Sequence, residues 1–272
     1  MKKKAVVMKS RPNKQQKLFD DSTDQIWSYT RLKSFRRCAL EYKVRWIDEK
    51  RELSQPQNID IQAGRLLHRI IREYFQSPLT NEPHKRLLEI YNSHTPITPG
   101  WKDDLQGEYR IHRALQLFAA SNVSRFKPVG VEVGCKASIR GVWFSGHADL
   151  IYKTDDIPSI YGLLEFKLND VETRSQDEAE RFLQEIIYYV GLPKQYYQLI
   201  ELLSIYIFDT GQLLETKVKQ SIVDNALQIV EETIKRANGP DFPPTLNPFC
   251  PSCGYQKFCP AYSKSRNMKE QH

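Results

Sequence analysis

The order of predicted secondary structure after residue 129 is the feature that most limits the fold of this 272-residue chain. Strand-like segments rich in apolar residues alternate there with two segments of helical periodicity. The predicted strands cover 129–139, 142–152, 160–168, 201–209 and 213–219, and the predicted helices cover 176–191 and 221–238. Three strands, a helix and two strands predict an α/β fold with a mixed central β-sheet.

The rest of the chain differs in character from this core. Residues 1–24 are polar and basic, which predicts a flexible basic arm. Helical patterns dominate 25–128, so we expect a helical N-terminal section before the core at 129–238. Residues 239–272 are rich in proline and cysteine, and we expect this tail to bind a cluster and to pack back on the N-terminal section.

Charge and hydropathy narrow the possible partners. The formal net charge is +7 and the sequence pI is near 9.0, which favours polyanions such as nucleic acid, although many soluble proteins are equally basic. No apolar run reaches the roughly 18 residues of a membrane span, and the apolar stretch 5–8 is too short for a signal peptide. We therefore expect a cytoplasmic protein with no membrane partner. The absence of a P-loop sequence argues against an ATP-driven motor.

A candidate active site lies on the second and third predicted strands. Glu165 and Lys167 are two residues apart, so they share one face of a strand while Phe166 points to the other. Asp149 lies on the preceding strand and comes near Glu165 if the turn at 155–159 sets the register. Two carboxylates and a lysine suit metal-assisted phosphodiester hydrolysis, since Mg²⁺ or Mn²⁺ prefers oxygen ligands. The competing interpretation is a cross-strand ion pair on a solvated face.

Five cysteines occur in the chain, and three of them, Cys250, Cys253 and Cys259, lie within ten residues. An odd number of cysteines without a secretion signal argues against a disulfide framework. The Cys-x₂-Cys-x₅-Cys spacing instead predicts zinc or an iron–sulfur cluster, either of which needs four ligands. The fourth ligand must come from Cys38 or Cys135, and the spacing does not distinguish the two metals.

Four motifs in order resemble the RecB-like branch of the PD-(D/E)XK nucleases, which includes the CRISPR adaptation nucleases. The motifs are Gly-x-x-x-His, an Asp that ends a strand, Glu-x-Lys and Gln-x-x-x-Tyr, and they correspond here to Gly64/His68, Asp149, Glu165/Lys167 and Gln184/Tyr188. The resemblance covers about residues 27–262. Ala148 replaces the proline of the family name, at a position that varies within this branch.

The resemblance implies a role for each matched residue. It implies a restriction-endonuclease-like core, metal ligation by His68, Asp149, Glu165 and the main-chain carbonyl of Phe166, and catalysis by Asp149, Glu165, Lys167, Gln184 and Tyr188. The segment around Cys38 is similar to the N-terminal cysteine segment of iron–sulfur RecB-like nucleases. The similarity favours a [4Fe–4S] cluster bound by Cys38, Cys250, Cys253 and Cys259, with Zn²⁺ as the alternative.

The resulting hypothesis is a Mg²⁺- or Mn²⁺-dependent deoxyribonuclease, an exonuclease or a single-strand or end-processing enzyme in DNA repair, recombination or CRISPR adaptation. Its partners would be single-stranded DNA or duplex ends, and a helicase or CRISPR integrase. The alternative is a DNA-binding or helicase-associated module in which the cluster is structural and cleavage is secondary. Aromatic residues next to basic ones suit either base stacking or core packing, namely Trp27, Tyr29, Trp46, Tyr74 and Trp143.

Overall fold

The computed structural model describes residues 26–50, 59–94, 105–154, 159–169 and 174–262. Five strands in these residues form one sheet in the order β1-β2-β3-β4-β5. Their bounds are Lys127–Ile139 for β1, Val142–Lys153 for β2, Tyr161–Lys167 for β3, Ile200–Ile207 for β4 and Gln212–Lys217 for β5. β3 and β4 pair in parallel, and the other neighbours pair antiparallel, which confirms the predicted mixed sheet.

The first hairpin turns at the two residues that separate the predicted strands 129–139 and 142–152. Arg140 and Gly141 connect β1 to β2, and their φ angles are 50° and 80°. Two consecutive residues with positive φ form the type I′ turn, whose twist matches that of the flanking strands. The turn aligns Ile139 with Val142 and sets the register of the β1–β2 pair as far as Gly130, before which the register shifts.

Nine α-helices occur in the described residues. Their bounds are Tyr29–Arg37 for α1, Ala39–Tyr42 for α2, Ile59–Gln76 for α3, Pro83–Ser93 for α4, Leu105–Ala120 for α5, Glu178–Arg181 for α6, Leu183–Gly191 for α7, Lys194–Tyr197 for α8 and Gln220–Ala237 for α9. A π-helical turn spans Lys43–Ile47, and 3₁₀ turns span Asn122–Arg125, Cys250–Ser252 and Gln256–Phe258.

Two segments with continuous helical periodicity in the sequence each form two helices instead of one. The first breaks at Cys38, whose φ and ψ of −162° and 113° are extended and separate α1 from α2. The second breaks at Phe182, with φ −102° and ψ 24°, between α6 and α7. Phe182 is 1% exposed, so the irregular residue places its ring in the core. The hydrophobic periodicity continues across both breaks and therefore does not reveal them.

Helices cover both faces of the sheet and make two separate hydrophobic cores. Leu163 of β3 belongs to a core formed with α1, α7 and α9, whereas Leu164 and Phe166 belong to a second core formed with α3, α4 and α5. Neighbouring residues of β3 are thus buried on opposite faces, which explains the nearly unbroken apolar run of this strand. Glu165 interrupts the run, and it is buried as well.

Some of the predicted segments lie wholly or mostly outside the described residues. The predicted arm 1–24 and most of the predicted turn at 155–159 lie outside the described residues. The tail returns to α1, where the side-chain amide of Asn247 donates to the carbonyl of Arg37 at 3.1 Å. The domain boundaries stay a prediction. In the described part of the chain, no helix is both long and apolar enough to span a bilayer.

Aromatic rings dominate the second core, and their centre is Phe118 of α5. Phe118 is fully buried and lies 5.7 Å from Tyr74, 5.9 Å from Phe75 and 6.1 Å from Phe166, measured between ring centroids. Edge-to-face contacts of this kind add to the free energy that burial alone contributes. The core lies directly behind the strand that carries Glu165.

We predict that Phe118→Ala lowers the free energy of unfolding by about 3–5 kcal/mol, because it leaves a cavity between rings that cannot close around it. Tyr109→Ala on the same helix is the matched control, since Tyr109 is 69% exposed, and it should change stability by less than about 0.5 kcal/mol. Urea denaturation of both variants measures the difference. Equal stability of the two variants would contradict this packing.

Candidate active site

Two carboxylates meet where strands β2 and β3 stop pairing through their main chains. The β2–β3 ladder ends at Leu150 and Leu164. Beyond it, the N–H of Asp149 donates to Oε1 of Glu165 at 3.0 Å, and the N–H of Phe166 donates to Oδ2 of Asp149 at 2.9 Å. The side chains thus replace the main-chain acceptors of the ladder. This exchange brings Asp149 and Glu165 together, as the sequence predicts.

The two carboxyl groups have opposite pKa shifts. Glu165 is 2% exposed, and burial together with the charge of Asp149 raises the pKa of Glu165 well above its usual value. Burial also disfavours the anion of Asp149, yet His68, the N–H of Phe166 and Lys167 hold the pKa of Asp149 below its usual value. The site therefore favours the anion of Asp149 more than the anion of Glu165, as expected of two carboxyl groups that share one apolar site.

His68 reaches this pair from helix α3. Its Nδ1 lies 3.3 Å from Oδ1 of Asp149. Burial alone would lower the pKa of His68, but the Asp149 carboxylate raises it above the usual value. The imidazole ring makes edge-to-face contacts with Phe166 and Phe208, at 6.3 Å and 6.5 Å between ring centroids. These contacts orient the imidazole relative to the carboxylates.

Gln184 of helix α7 connects Lys167 to Glu165. Its side-chain oxygen accepts from the Lys167 ammonium group, and its Nε2 donates to Oε2 of Glu165 at 2.6 Å. The amide therefore presents an acceptor to the cation and a donor to the carboxylate, and only one orientation of the amide satisfies both. The Nζ of Lys167 also lies 5.6 Å from the ring centroid of Tyr29, at the first residue of α1.

Tyr188 lies one turn after Gln184 and packs against β2. A Cβ atom at position 146 would come within 2.4 Å of the Tyr188 ring, so Gly146 is required for the helix to approach the strand. Burial, followed by the charge of Glu165, raises the pKa of Tyr188 far above its usual value and keeps the phenol neutral. Phe166 contributes its N–H to the site, while its ring is buried in the second core.

Two further acidic residues border the site, and neither belongs to the four matched motifs. Glu132 of β1 stands opposite Asp149, between the pairs Val131–Leu150 and Val133–Ala148. Its φ of 52° is unusual for a residue with a side chain, and it lines a small pocket that His68, Asp149 and Phe166 also line.

Glu132 gives no sequence signal, because an acidic residue between two valines is typical of a solvent-exposed strand position. The second acidic residue, Glu185, follows Gln184 and is 1% exposed. Its charge also raises the pKa of Glu165. The signal for Glu185 was available, since it is an acidic residue inside the otherwise apolar segment of α7.

Three of the five cysteines lie close together where α1 meets the C-terminal tail. The N–H of Thr245 donates to Sγ of Cys38 at 3.4 Å, and the N–H of Asn247 donates to Sγ of Cys250 at 3.2 Å. Cys253 is close enough to Cys38 and Cys250 for their charges to raise its pKa further, after the larger effect of burial. None of these described cysteines forms a disulfide.

The two remaining cysteines have different surroundings. Sγ of Cys259 accepts from the N–H of Tyr262 at 3.4 Å, in the same tail. Cys135, by contrast, is 5% exposed within β1, its thiol donates to the carbonyl of Val133, and burial raises its pKa to about 12. Cys135 therefore belongs to the hydrophobic core, and Cys38 is the early cysteine that accompanies the late ones.

The aromatic residues considered for base stacking divide between core and surface. Trp27 and Tyr74 are 3% and 1% exposed and belong to the two cores, which excludes them from stacking on bases. Trp143 is 42% exposed, near the hairpin turn, and Lys136 lies 4.9 Å from its ring centroid.

The site residues already satisfy one another by hydrogen bonds. Within the described ranges, no group of three or more His, Cys, Asp or Glu side chains has a geometry that could hold a metal ion as it stands. Asp149, Glu165 and His68 nevertheless bring oxygen and nitrogen donors together at one point. Burial and the neighbouring carboxylates raise the pKa of Glu165 there. The donor chemistry of this set fits a hard divalent cation.

Solved structures and a sequence family show what this chain is similar to. A crystal structure of a protein from Eubacterium rectale, to which exonuclease activity is attributed, aligns with a TM-score of 0.47 and 12% identity over 85% of this chain and 86% of that one. The crystal structure of SSO0001 aligns with a TM-score of 0.36 and 16% identity over 92% and 95%. No curated protein matches the sequence. The sequence model of the PD-(D/E)XK nucleases, which are hydrolytic enzymes, matches residues 26–260, and the chain therefore belongs to the PD-(D/E)XK nuclease superfamily.

Proposed function

We propose that this chain is a divalent-metal-dependent deoxyribonuclease whose reaction centre is formed by Asp149, Glu165 and Lys167. The observation that carries the proposal is the end of the β2–β3 ladder, where Asp149 and Glu165 accept main-chain N–H groups from each other's strands. A lysine tied to one of these carboxylates through Gln184 completes the set. A solvated cross-strand ion pair would not be buried in this way.

The proposed ligands of Mg²⁺ or Mn²⁺ are Asp149, Glu165, His68 and the main-chain carbonyl of Phe166. Support comes from electrostatics. Burial, followed by the charges of Asp149 and Glu185, raises the pKa of Glu165, and a divalent cation would offset that negative charge. When bound, such a metal lowers the pKa of a coordinated water and neutralises charge that develops on a phosphate.

The other site residues orient the reaction centre and hold a positively charged group within it. Gln184 holds the Lys167 ammonium beside Glu165, where the lysine can position the attacking water and place positive charge at a phosphate oxygen. Tyr188 stays neutral, packs over Gly146 and forms a side-chain hydrogen bond with Gln184, which helps to hold the amide in place. We assign Gln184 and Tyr188 as positioning residues.

A [4Fe–4S] cluster bound by Cys38, Cys250, Cys253 and Cys259 is the second part of the proposal, with Zn²⁺ as the alternative. Main-chain N–H groups donate to three of these sulfurs, as expected where thiolates carry negative charge. The side-chain amide of Asn247 also bonds to Arg37, so the tail is held beside Cys38 independently of the thiols. The donor set fits a thiolate-bound metal.

The ordered motifs and the paired early and late cysteines support membership of the RecB-like branch. We propose accordingly that the substrate is single-stranded DNA or a duplex end, and that the setting is DNA repair, recombination or CRISPR adaptation with a helicase or integrase partner. Oligonucleotides labelled and blocked at either end distinguish exonuclease from endonuclease cleavage. Tight DNA binding without cleavage by the purified wild-type protein would instead favour a DNA-binding module.

We predict that Lys167→Ala lowers kcat for single-stranded DNA at least about 100-fold, because it removes the ammonium group from the reaction centre. Lys217→Ala is the matched control, since Lys217 lies exposed on β5 of the same sheet, and its rate should stay within about twofold of wild type. A gel assay with labelled oligonucleotide and Mg²⁺ or Mn²⁺ measures both. Equal cleavage by Lys167→Ala would mean that the site is wrong.

Metal binding should tighten as pH rises, with release of protons. The pKa values of Glu165 and His68 are both raised, so without metal each group keeps its proton to higher pH than usual. A metal ion must displace those protons, and its affinity therefore increases until pH passes the pKa of Glu165. Calorimetry of Mn²⁺ binding in two buffers of different ionisation enthalpy counts the protons, and Glu165→Gln should release fewer. A Kd independent of pH would refute this electrostatic account.

Removal of one cluster ligand should affect stability as well as metal content. We expect Cys38→Ala to lose bound iron and its visible absorbance, and to lower the free energy of unfolding by about 4 kcal/mol or more. Cys135→Ala removes a thiol outside the group and should keep the iron. Metal analysis distinguishes iron from zinc, and thermal unfolding measures the stability. A Cys38→Ala protein with wild-type metal content and stability would exclude this cysteine as a ligand.

A further inference from the structure

A cleft of about 650 Å³ opens between helices α1 and α3 and leads to the candidate active site. Thr30 and Lys33 form its wall on α1, and His68 and Glu132 lie where it meets the carboxylates. His68 and Glu132 also line the smaller pocket that contains Asp149. A molecule lying in the cleft would therefore have one end beside the reaction centre.

Three arginines of α3 face this cleft at positions 65, 69 and 72. The spacing of four and three residues places them on one side of the helix, over about 10 Å of its length. All three side chains are exposed, and no described residue forms an ion pair or hydrogen bond with them. Like charges at this spacing repel each other, so the row is unfavourable unless an anion binds to it.

The chemistry of the row matches a chain of phosphates. A guanidinium group offers planar, paired N–H donors that fit phosphate oxygens. Three such groups in a line, with Lys33 on the opposite wall, suit successive phosphates of one strand better than they suit a single small anion. Phosphate contacts of this kind position a nucleic acid without reading its bases.

Gly64 gives an independent observation in the same cleft. It lies in the interior of α3, one turn before His68, although glycine is among the least favourable residues in a helix. A Cβ atom at this position would meet nothing within 4 Å, so packing inside the protein does not require a glycine. The missing side chain instead leaves the floor of the cleft open beside His68.

We infer that the cleft between α1 and α3 binds the sugar-phosphate backbone of one DNA strand and delivers it to the reaction centre, with Arg65, Arg69 and Arg72 holding consecutive phosphates over Gly64. This inference rests on the proposed nuclease function, because it names the path by which the substrate of that site enters. It predicts tight, salt-sensitive binding that does not depend on base sequence.

The double variant Arg65→Ala/Arg69→Ala tests the phosphate contacts. Fluorescence anisotropy with labelled single-stranded DNA in a chelating buffer measures Kd over a range of salt concentrations. We expect the double variant to bind at least about tenfold more weakly at low salt, and the slope of log Kd against log salt to fall by about 0.7 for each lost contact. Arg65→Lys/Arg69→Lys keeps both charges and should keep most of the slope.

Arg113→Ala is the matched control, since Arg113 is an exposed arginine on α5, outside the cleft, and its variant should bind as the wild type does. Gly64→Leu tests the open floor separately. It should fold with a melting temperature no lower than that of wild type, because a Cβ atom at position 64 meets nothing within 4 Å and leucine is more favourable in a helix than glycine. It should nevertheless bind DNA at least about fivefold more weakly.

Failure of the inference and failure of the proposed function give different results. If the double arginine variant and Gly64→Leu bind DNA with the Kd and salt slope of Arg113→Ala while the wild type cleaves DNA, the cleft is not the path and the nuclease site stands. If the wild type binds through the cleft as described but cuts no DNA with any divalent metal, the path stands and the proposed nuclease function is wrong.

Discussion

The exchange of hydrogen bonds between Asp149 and the strand of Glu165 is the contact on which the site depends. Main-chain N–H groups need acceptors when they are buried, and at the end of the β2–β3 ladder the carboxylates supply them. Each carboxylate is thereby fixed by the strand that carries the other one. Two acidic groups are thus held close together. Burial, followed by the charge of Asp149, raises the pKa of Glu165.

Much of the fold could be predicted from the sequence, because the sequence patterns that specify its strands and turns are local. Gly141 favours a tight turn between the first two strands, and the spacing of Glu165 and Lys167 assigns both to one strand face. The meeting of Asp149 with Glu165 followed from the register of neighbouring strands. The breaks at Cys38 and Phe182 were not readable, because they depend on what each side chain reaches across the fold.

The candidate site was predicted less completely than the fold. Glu132 was missed because its position is decided by a left-handed backbone conformation that no local pattern encodes. Glu185 was missed although its burial is legible in the apolar segment around it. The burial of Trp27 and Tyr74, by contrast, settled an ambiguity that composition leaves open, since an aromatic residue beside a basic one suits a core as well as a DNA surface.

Helix α1 is nine residues long and has Tyr29 at one end and Cys38 just beyond the other. Tyr29 lies over the Lys167 ammonium, and Cys38 is hydrogen-bonded to the tail. Helix α1 thus has the Tyr29 ring, which contacts Lys167, at its N-terminal end and the Cys38 thiol just beyond its C-terminal end. A shift of α1 would therefore move the ring beside Lys167 and the thiol of Cys38 together, because one short helix separates them.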